Sequence, residues 1–173
     1  MKMILYMALS IDGIAALDSR TGIERYGSRE DHDFFIGESK KCDAALMGKN
    51  TASFKISGVP NVILTHDSKL QNSGDGRLYL WGDPKEIYSE LERRGFKKVA
   101  LLGGPFTNAQ FLRQGLVDEM FLTVEPVTIG QGLHFLNEAL ESRWTLADTK
   151  ILNKKGSLVL HYKKTCEKKQ NSL

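Results

Sequence analysis

The sequence predicts a three-layer α/β fold, in which helices cover a mostly parallel sheet that ends in an antiparallel pair of strands. Short apolar runs alternate with charged, helix-like segments along most of the chain. The first run, residues 3–9, has no polar interruption, as expected of a strand that is covered on both faces. The last two runs, 144–152 and 157–162, flank Lys154-Lys155-Gly156 and therefore predict a hairpin.

Between these runs the sequence predicts five more strands and three helices. The strands are the short apolar runs at 44–47, 62–65, 78–81, 99–102 and 120–124. The first helix is expected to begin after Ser28, because Asp31 three residues later completes a helix-start pattern. The second is expected to begin at Asp83-Pro84, and the third to cover 108–114.

The composition is that of an ordinary soluble protein. At 173 residues the chain is expected to form one domain over 1–163, followed by a basic, frayed tail at 164–173. Its formal net charge of +3 is too small to indicate a nucleic-acid-binding protein. Cys42 and Cys166 form no CxxC motif, and no apolar run reaches the ~20 residues that span a bilayer. We therefore expect a cytoplasmic protein with no metal and no membrane partner.

Small and polar residues follow three of the predicted strands, at the end where open α/β sheets bind their ligands. These turns are Gly48-Lys49-Asn50-Thr51, Leu64-Thr65-His66 and Gly103-Gly104-Pro105. Glycine lets a backbone approach a phosphate closely, and a helix that follows presents unpaired N–H groups to an anion. Together the three turns predict a cofactor site. The alternative is that each is an ordinary strand-to-helix turn.

Other common motifs do not occur. The chain has no GxGxxG fingerprint, no GxxxxGK[ST] loop and no GxSxG elbow, which disfavours a Rossmann site, a P-loop and a hydrolase nucleophile. The four histidines show no metal-ligand spacing. Trp81 and Trp144 are interpreted as packing residues.

Asp31 is the acidic residue with the clearest functional pattern. On a helix it shares a face with Phe34 and Phe35, and apolar surroundings raise the pKa of a carboxyl group. Such a group handles a proton or holds the edge of an aminopyrimidine; the alternative is a carboxylate that only stabilises the helix N-terminus. Asp12 is a second catalytic candidate, although with Gly13 it also fits a turn. The candidates for substrate binding are Ser10, Phe34 and Phe35.

Five segments resemble, in order and spacing, the dihydrofolate reductase fold and, more closely, the reductase domain of riboflavin biosynthesis, the RibD C-terminal family. They are MALSIDGIAA (7–16), SREDHDFF (28–35), ALMGKNTASF (45–54), VILTHD (62–67) and LLGGPFTNAQFLRQGLVDEMFLTVEPVTIGQG (101–132). The resemblance implies a central eight-stranded, mainly parallel sheet and NADPH as the cofactor.

The resemblance also implies positions for the cofactor contacts. They are Ala8, Ala15 and Ala16 beside the nicotinamide and its ribose; Gly48, Lys49, Asn50 and Thr51 beside the pyrophosphate and adenosine; Leu64, Thr65 and His66 beside the adenosine ribose and its 2′-phosphate; and Gly103, Gly104, Pro105 and Phe106 beside the pyrophosphate.

The activity implied by the resemblance is NADPH-dependent hydride transfer to a small heterocycle, most closely a ribosylaminopyrimidine phosphate of the riboflavin pathway. Dihydrofolate (pterin) reductase is the alternative enzyme, since Asp31 matches the acidic residue that holds the pterin in that family. A non-catalytic nucleotide-binding protein of the same fold is the other alternative, because Leu102 stands where riboflavin-pathway enzymes often carry an acidic residue. A homodimer is also expected, through 115–119 and the strand that follows.

Overall fold

The computed structural model describes residues 1–18, 26–67, 70, 75–136 and 138–165, which form an eight-stranded sheet flanked by helices and a separate two-stranded ribbon. The strands are β1 (Lys2–Ser10), β2 (Ile14–Ala16), β3 (Ala44–Gly48), β4 (Asn61–Leu64), β5 (Leu78–Leu80), β6 (Lys98–Leu101), β7 (Glu119–Glu125), β8 (Leu133–His134), β9 (Trp144–Ile151) and β10 (Leu158–Lys164). The helices are α1 (Arg29–Ser39), α2 (Pro84–Arg93) and α3 (Pro105–Arg113).

The main sheet has the strand order β5-β4-β3-β6-β1-β7-β10-β9. The strands from β5 to β7 run parallel, whereas β10 pairs antiparallel with both β7 and β9. The predicted fold class, including the antiparallel C-terminal hairpin, is therefore confirmed. The ribbon of β2 and β8 was not predicted, because strands of three and two residues are too short to show a periodic pattern.

The uninterrupted apolar sequence of β1 reflects its position in the middle of three layers. Met3 belongs to the core on one face of the sheet, together with Leu91 of α2 and Phe111 of α3. Ile4, the next residue, belongs to the core on the other face, against which Phe35 of α1 packs. Because successive side chains of a strand point to opposite faces, both registers of β1 must be apolar.

Each helix begins where the sequence provides a cap. Ser28 caps α1 as predicted, and Asp83 caps α2 in a capping box with Glu86. Helix α3 begins three residues earlier than predicted, because Gly104 serves as its N-cap and Pro105 as its first residue. The earlier start places the N-terminus of α3 directly at the carboxyl end of β6.

The segment expected from the sequence to form a dimer edge does not lie at an edge of the sheet. The strand after 115–119 is β7, which lies between β1 and β10 and so has no unpaired edge. The outer strands of the sheet are β5 and β9. The apolar residues of β7 are therefore explained by its central position in the sheet, because a central strand and a strand at a subunit interface have similar apolar sequences.

The predicted tail also differs at its start. Strand β10 extends through Lys164, whose Nζ donates a hydrogen bond to the carbonyl oxygen of Gly115 over 2.7 Å. Residues 166–173, with Cys166 and most of the predicted tail, lie outside the described residues. Within the described ranges, no helix is long and apolar enough to cross a membrane. Those same ranges contain no cluster of His, Cys, Asp and Glu side chains able to hold a metal ion.

Candidate functional site

A cavity of about 1650 Å³ lies over the carboxyl ends of the central parallel strands, with α1 along one side. The predicted site residues that line it are Ala8, Ala15, Ala16, Asp31, Phe34, Phe35, Gly48, Lys49, Asn50, Thr51, Leu64, Thr65, His66, Gly104, Pro105 and Phe106. Gly103 lies just behind this lining, next to Gly104. Like Gly103, the predicted residues Ser10 and Asp12 do not line the cavity.

The turns after β3 and β6 are in direct main-chain contact. The N–H of Gly48 donates to the carbonyl oxygen of Gly103 over 2.8 Å. A Cβ on Gly48 would lie 2.6 Å from Oγ1 of Thr107, so only glycine fits there without a shift of its neighbour. Gly103 has a φ of +85°, a conformation that glycine adopts readily, and its peptide bond to Gly104 is cis. The backbone itself therefore forms this part of the wall.

Helix α3 begins at the same point. Its first-turn N–H groups have no partner within the helix, and Gly104, Pro105, Phe106 and Thr107 place this positive helix end on the cavity wall. Oγ1 of Thr51 lies 3.2 Å from the position that a Cβ on Gly104 would take, so its hydroxyl borders the same opening. Unpaired N–H groups, a helix dipole and a hydroxyl are together suited to a phosphate.

Lys49 and the residues after β4 form a charged wall. Lys49 lies in a single 3-10 turn, and its Nζ is 3.5 Å from Oδ2 of Asp67. Thr65 is buried, and its Oγ1 accepts the main-chain N–H of Asp67 over 3.1 Å. His66, between them in sequence, is exposed. This wall combines an ammonium, an imidazole and a carboxylate, which suits a charged, strongly polar part of a ligand.

Another part of the cavity is aromatic. Phe121 of β7 stacks on Tyr6 of β1, with ring centroids 5.2 Å apart and planes inclined by 7°. Phe34 of α1 lies with its centroid 5.9 Å from that of Phe121. His161 of β10 stacks on Phe121 at 4.1 Å, which supports the ring from the neighbouring strand. A wall of this kind offers a flat apolar surface to a planar ring.

Asp31 lies next to this aromatic wall, half-buried in the first turn of α1. Its main-chain N–H donates to Oγ of Ser28 over 3.1 Å, and its carboxyl lies near enough to the hydroxyl of Thr123 to interact with it. Burial raises the pKa of Asp31; the Thr123 hydroxyl opposes this, and the negative charge of Glu125 raises the pKa further. The carboxyl of Asp31 therefore takes up a proton at a higher pH than an ordinary aspartate does.

The positions of Asp12 and Ser10 differ from the expectation. The Asp12 carboxylate accepts the hydroxyl of Ser10 over 2.6 Å and the main-chain N–H of Gly130 over 2.7 Å. The Ser10 oxygen in turn accepts the N–H of Ile14 over 2.9 Å. These bonds lower the pKa of Asp12 to about 2, with the Ser10 hydroxyl as the largest cause and Gly130 as the next. Both side chains connect loops outside the cavity, which favours the interpretation of Asp12 as a turn residue.

Several cavity residues are absent from the expectations made on sequence. Tyr6 and Phe121 of the aromatic wall and Thr123 beside them line the cavity, and so does Trp81, which was expected as a packing residue but is 65% exposed. Tyr6 lies within an apolar run that does not show which members face a ligand. The alternation of β7 places 121 and 123 on the same face, and this was the one signal available. The sequence does not show that this face of β7 packs against α1, because that contact depends on the tertiary structure.

Comparison with known proteins identifies the fold family. Residues 1–160 match the family model described as RibD C-terminal domain. No curated protein matches the chain in sequence.

Solved structures with similar folds include both riboflavin-pathway and folate-pathway proteins. A pyrimidine reductase-like protein from Corynebacterium diphtheriae is 18% identical, with a TM-score of 0.81 over 96% of this chain and 92% of its own. A diaminohydroxyphosphoribosylaminopyrimidine deaminase/5-amino-6-(5-phosphoribosylamino)uracil reductase from Thermotoga maritima is 14% identical, with a TM-score of 0.77 over 95% of this chain and 56% of its own.

A third neighbour is dihydrofolate reductase from Enterococcus faecalis, complexed with NADP(H) and RAB-propyl. It is 13% identical, with a TM-score of 0.74 over 95% of this chain and 97% of its own. At these identities the three neighbours establish a shared fold. The chain spans little more than half of the Thermotoga protein, whose name covers two activities.

Proposed function

The chain belongs to the RibD C-terminal domain family, and we propose that it is an NADPH-dependent reductase that transfers hydride to a small nitrogen heterocycle. The substrate class that we favour is a ribosylaminopyrimidine phosphate of the riboflavin pathway. One observation carries the proposal: a single cavity combines an anion-binding turn at α3 with an aromatic wall that includes Asp31.

The wall around α3 fits the phosphates of a dinucleotide. Gly48 and Gly104 bring the backbone close, and the first turn of α3 supplies N–H donors for a pyrophosphate. Lys49, with Thr65 and His66 beside it, would hold a 2′-phosphate, and this favours NADPH over NADH. Because Asp67 lies 3.5 Å from the Lys49 ammonium, we expect that ion pair to rearrange when the phosphate binds.

The aromatic wall fits the acceptor. A bound nicotinamide would supply the hydride, and the protein orients the acceptor beside it. Phe34 and Phe121 offer a ring face to a flat heterocycle, while Asp31 and Thr123 hold its polar edge. The carboxyl of Asp31 is also placed to move a proton at that edge, since its pKa is raised by burial.

Basic side chains along α1 favour a substrate that carries a phosphate. Arg29, His32 and Lys40 line the cavity and are exposed. A phosphoribosyl group attached to a ring held by Asp31 would reach toward this charged side of α1. The Thermotoga neighbour is named as a 5-amino-6-(5-phosphoribosylamino)uracil reductase, and a phosphorylated substrate of that kind agrees with these basic side chains.

Dihydrofolate reduction is the second candidate, and one observation favours it. Asp31 lies half-buried between Phe34 and the Thr123 hydroxyl, an arrangement that also suits the aminopyrimidine edge of a pterin. The Enterococcus neighbour is a dihydrofolate reductase with the same fold. The two candidates differ in the tail of the substrate, which is a phosphate in one case and a pterin substituent in the other.

Cofactor binding is the first experiment. Titration with NADPH and with NADH is followed by quenching of tryptophan fluorescence, because exposed Trp81 lines the cavity. We expect binding in the micromolar range with a preference for NADPH. Trp81→Phe should lose most of the quenching, whereas Trp144→Phe, on strand β9 away from the cavity lining, should retain it. Absence of binding by either nucleotide would contradict the proposal.

Turnover is the second experiment. Loss of absorbance at ~340 nm reports oxidation of the reduced cofactor, with phosphorylated aminopyrimidines and dihydropterins compared side by side. Faster turnover of the phosphorylated substrate supports the riboflavin-type assignment. NADPH binding without oxidation on any of these substrates would favour the non-catalytic alternative, for which Leu102 beside the Gly103 turn is the relevant departure.

The proposed assembly is a homodimer in the cytoplasm, where the buried thiol of Cys42 would stay reduced. The outer strand β9 exposes Leu146 and Ile151, at 50% and 71% of their surface, and its outer edge is unpaired in the described sheet. A second copy would cover such an edge. Light scattering on a sizing column measures the oligomeric state. We expect a dimer for the wild-type protein and a monomer for Ile151→Lys. A monomeric wild-type protein would contradict the proposed dimer.

A further inference from the structure

Glu125, the last residue of β7, is a buried carboxylate held entirely by hydrogen bonds. The residue is only 2% exposed to solvent. Oε1 accepts the N–H and the hydroxyl of Ser28 over 2.9 and 2.8 Å, and Oε2 accepts the hydroxyl of Ser157 over 2.6 Å. No lysine, arginine or histidine in the described ranges forms an ion pair with it. Donors on both oxygens are the arrangement of an ionised carboxylate.

Ser28 connects this carboxylate to the candidate catalytic residue. Its hydroxyl donates to Glu125, so its oxygen lone pairs are turned toward the N–H of Asp31, 3.1 Å away. The Asp31 carboxyl reaches Thr123, which lies two residues before Glu125 on the same face of β7. Both the main chain and the side chain of Asp31 are therefore held by groups fixed to the end of β7.

The far side of Glu125 is fixed as well. The hydroxyl of Ser157 accepts a hydrogen bond from Nδ2 of Asn153 over 2.9 Å and donates its own hydrogen bond to Oε2 of Glu125. Oδ1 of Asn153 accepts the main-chain N–H groups of Lys155, Gly156 and Ser157, which closes the turn between β9 and β10. Glu125 thus has little freedom to move away from α1.

We propose that Glu125 is a positioning residue of the candidate site: through the Ser28 hydroxyl it fixes the start of α1, and its buried carboxylate lies where its field acts on the carboxyl of Asp31. The inference rests on the proposed function in one respect, namely that Asp31 meets the substrate. Burial raises the pKa of Asp31, and the negative charge of Glu125 raises it further, because a neighbouring negative charge disfavours ionisation of a carboxyl group. Glu125 itself is held in place by three hydrogen bonds, two from Ser28 and one from Ser157.

Other charges act on Asp31 from the elements around it. His32 on α1 lies near enough to favour the ionised form of Asp31 when the imidazole is protonated. Arg29 and Lys40 of α1 and Lys49 of the turn after β3 belong to the same cavity but are exposed to solvent, which screens their charges. Glu125 is the buried charge among these groups, and its field is the least screened.

The test is a direct titration of Asp31 in the full-length protein by carbon-13 NMR of labelled aspartate carboxyl groups. The Asp31 signal is assigned by its loss in Asp31→Asn. In wild-type protein we expect it to titrate above the ordinary range of aspartate, and in Glu125→Gln to titrate at lower pH, because the amide keeps the shape but removes the charge. The signal of Asp43, which lies at the start of β3 and accepts main-chain N–H groups of Lys97 and Lys98, should not move.

Ser28→Ala separates charge from geometry. This variant weakens the start of α1 but leaves the Glu125 charge in place, so amide exchange at Asp31 should become faster while its titration stays high. An Asp31 signal within the ordinary aspartate range in wild type would overturn the proposal, and so would an unchanged midpoint in Glu125→Gln. If Ser28→Ala lowered the titration midpoint of Asp31 as much as Glu125→Gln does, the shift would come from the altered structure of α1, and the electrostatic part of the proposal would be wrong. NADPH binding is measured separately, so its failure would contradict the proposed function without deciding this result.

Discussion

Gly48 leaves no room for a side chain beside Thr107, since a Cβ would lie 2.6 Å from Oγ1 of that threonine. The same glycine donates its N–H to the carbonyl of Gly103 over 2.8 Å. The ends of β3 and β6 are thereby held closer than two strands with side chains at these positions would allow. This close approach brings the turn after β3 and the N-terminus of α3 to the same part of the cavity wall.

Gly48→Ala should therefore destabilise the protein by about 1–3 kcal/mol, because either Thr107 or the turn must move. It should also weaken NADPH binding, because the same movement displaces the N-terminus of α3. Urea unfolding and the fluorescence titration measure the two effects. Gly37→Ala is the matched control, since a Cβ there meets nothing within 4 Å and the residue lies inside α1.

A second substitution checks the stated cause. Thr107→Ala removes the oxygen that a Cβ on Gly48 would meet. In the double variant, the alanine at 48 should cost less stability than it does alone, by a coupling of about 0.5–3 kcal/mol. Additive losses would show that the contact with Thr107 is not what excludes a side chain at position 48.

Lys49→Ala should weaken NADPH binding about three- to tenfold and NADH binding much less, because the ammonium is proposed to hold the 2′-phosphate that only NADPH carries. The effect is limited by the exposure of Lys49 to solvent. Fluorescence titrations of both nucleotides measure it. Lys85→Ala, on α2 and away from the cavity lining, is the control for loss of a surface charge. Equal losses for the two nucleotides would contradict a 2′-phosphate role for Lys49.

The parts of the fold that sequence predicts well are those fixed by neighbours in the chain. Ser28 and Asp31 are three residues apart, and the cap they form was predicted from that spacing alone. The fold class follows from apolar runs and from turns such as Gly103-Gly104, whose conformations depend on local chemistry.

The parts that sequence does not predict depend on distant pairing. Asp12 was expected in the site, but Gly130, 118 residues away, places an N–H group on its carboxylate. Phe121 belongs to the aromatic wall because β7 pairs with β1 in the register that sets it opposite Tyr6. That register also makes β7 a central strand instead of a dimer edge. No pattern within β7 itself contains this information.

Gly104→Val should abolish NADPH binding in a protein that still folds. Gly104 has a negative φ of −74°, which a branched residue tolerates, but its side chain would project toward Oγ1 of Thr51, 3.2 Å from the Cβ position. The valine would thus fill the opening at the start of α3 where the pyrophosphate is proposed to bind. Circular dichroism confirms folding, and the fluorescence titration measures binding. Retained binding would remove this opening from the cofactor site.

Asp12→Asn tests the structural role that the geometry assigns to this residue. Hydrogen bonds from Ser10 and Gly130 lower the pKa of Asp12 to about 2, below the value of about 3.9 expected in the unfolded chain. A carboxyl whose folded pKa is depressed stabilises the protein fully above its unfolded pKa and loses that stabilisation as the pH falls. The wild-type protein should therefore lose stability between about pH 4 and pH 2 partly through Asp12, and the variant should show a shallower decline.

Urea unfolding at several pH values measures that difference, with Asp33→Asn, an exposed carboxyl on α1, as the control. Because Asp12 does not line the cavity, the asparagine variant should bind NADPH as wild type does and keep its turnover on whichever substrate is accepted. If Asp12→Asn lost turnover while cofactor binding and stability stayed unchanged, Asp12 would instead have the catalytic role expected from the sequence. In that case the loop containing Gly130 would have to release the carboxylate when substrate binds, since Gly130 and Ser10 now occupy it.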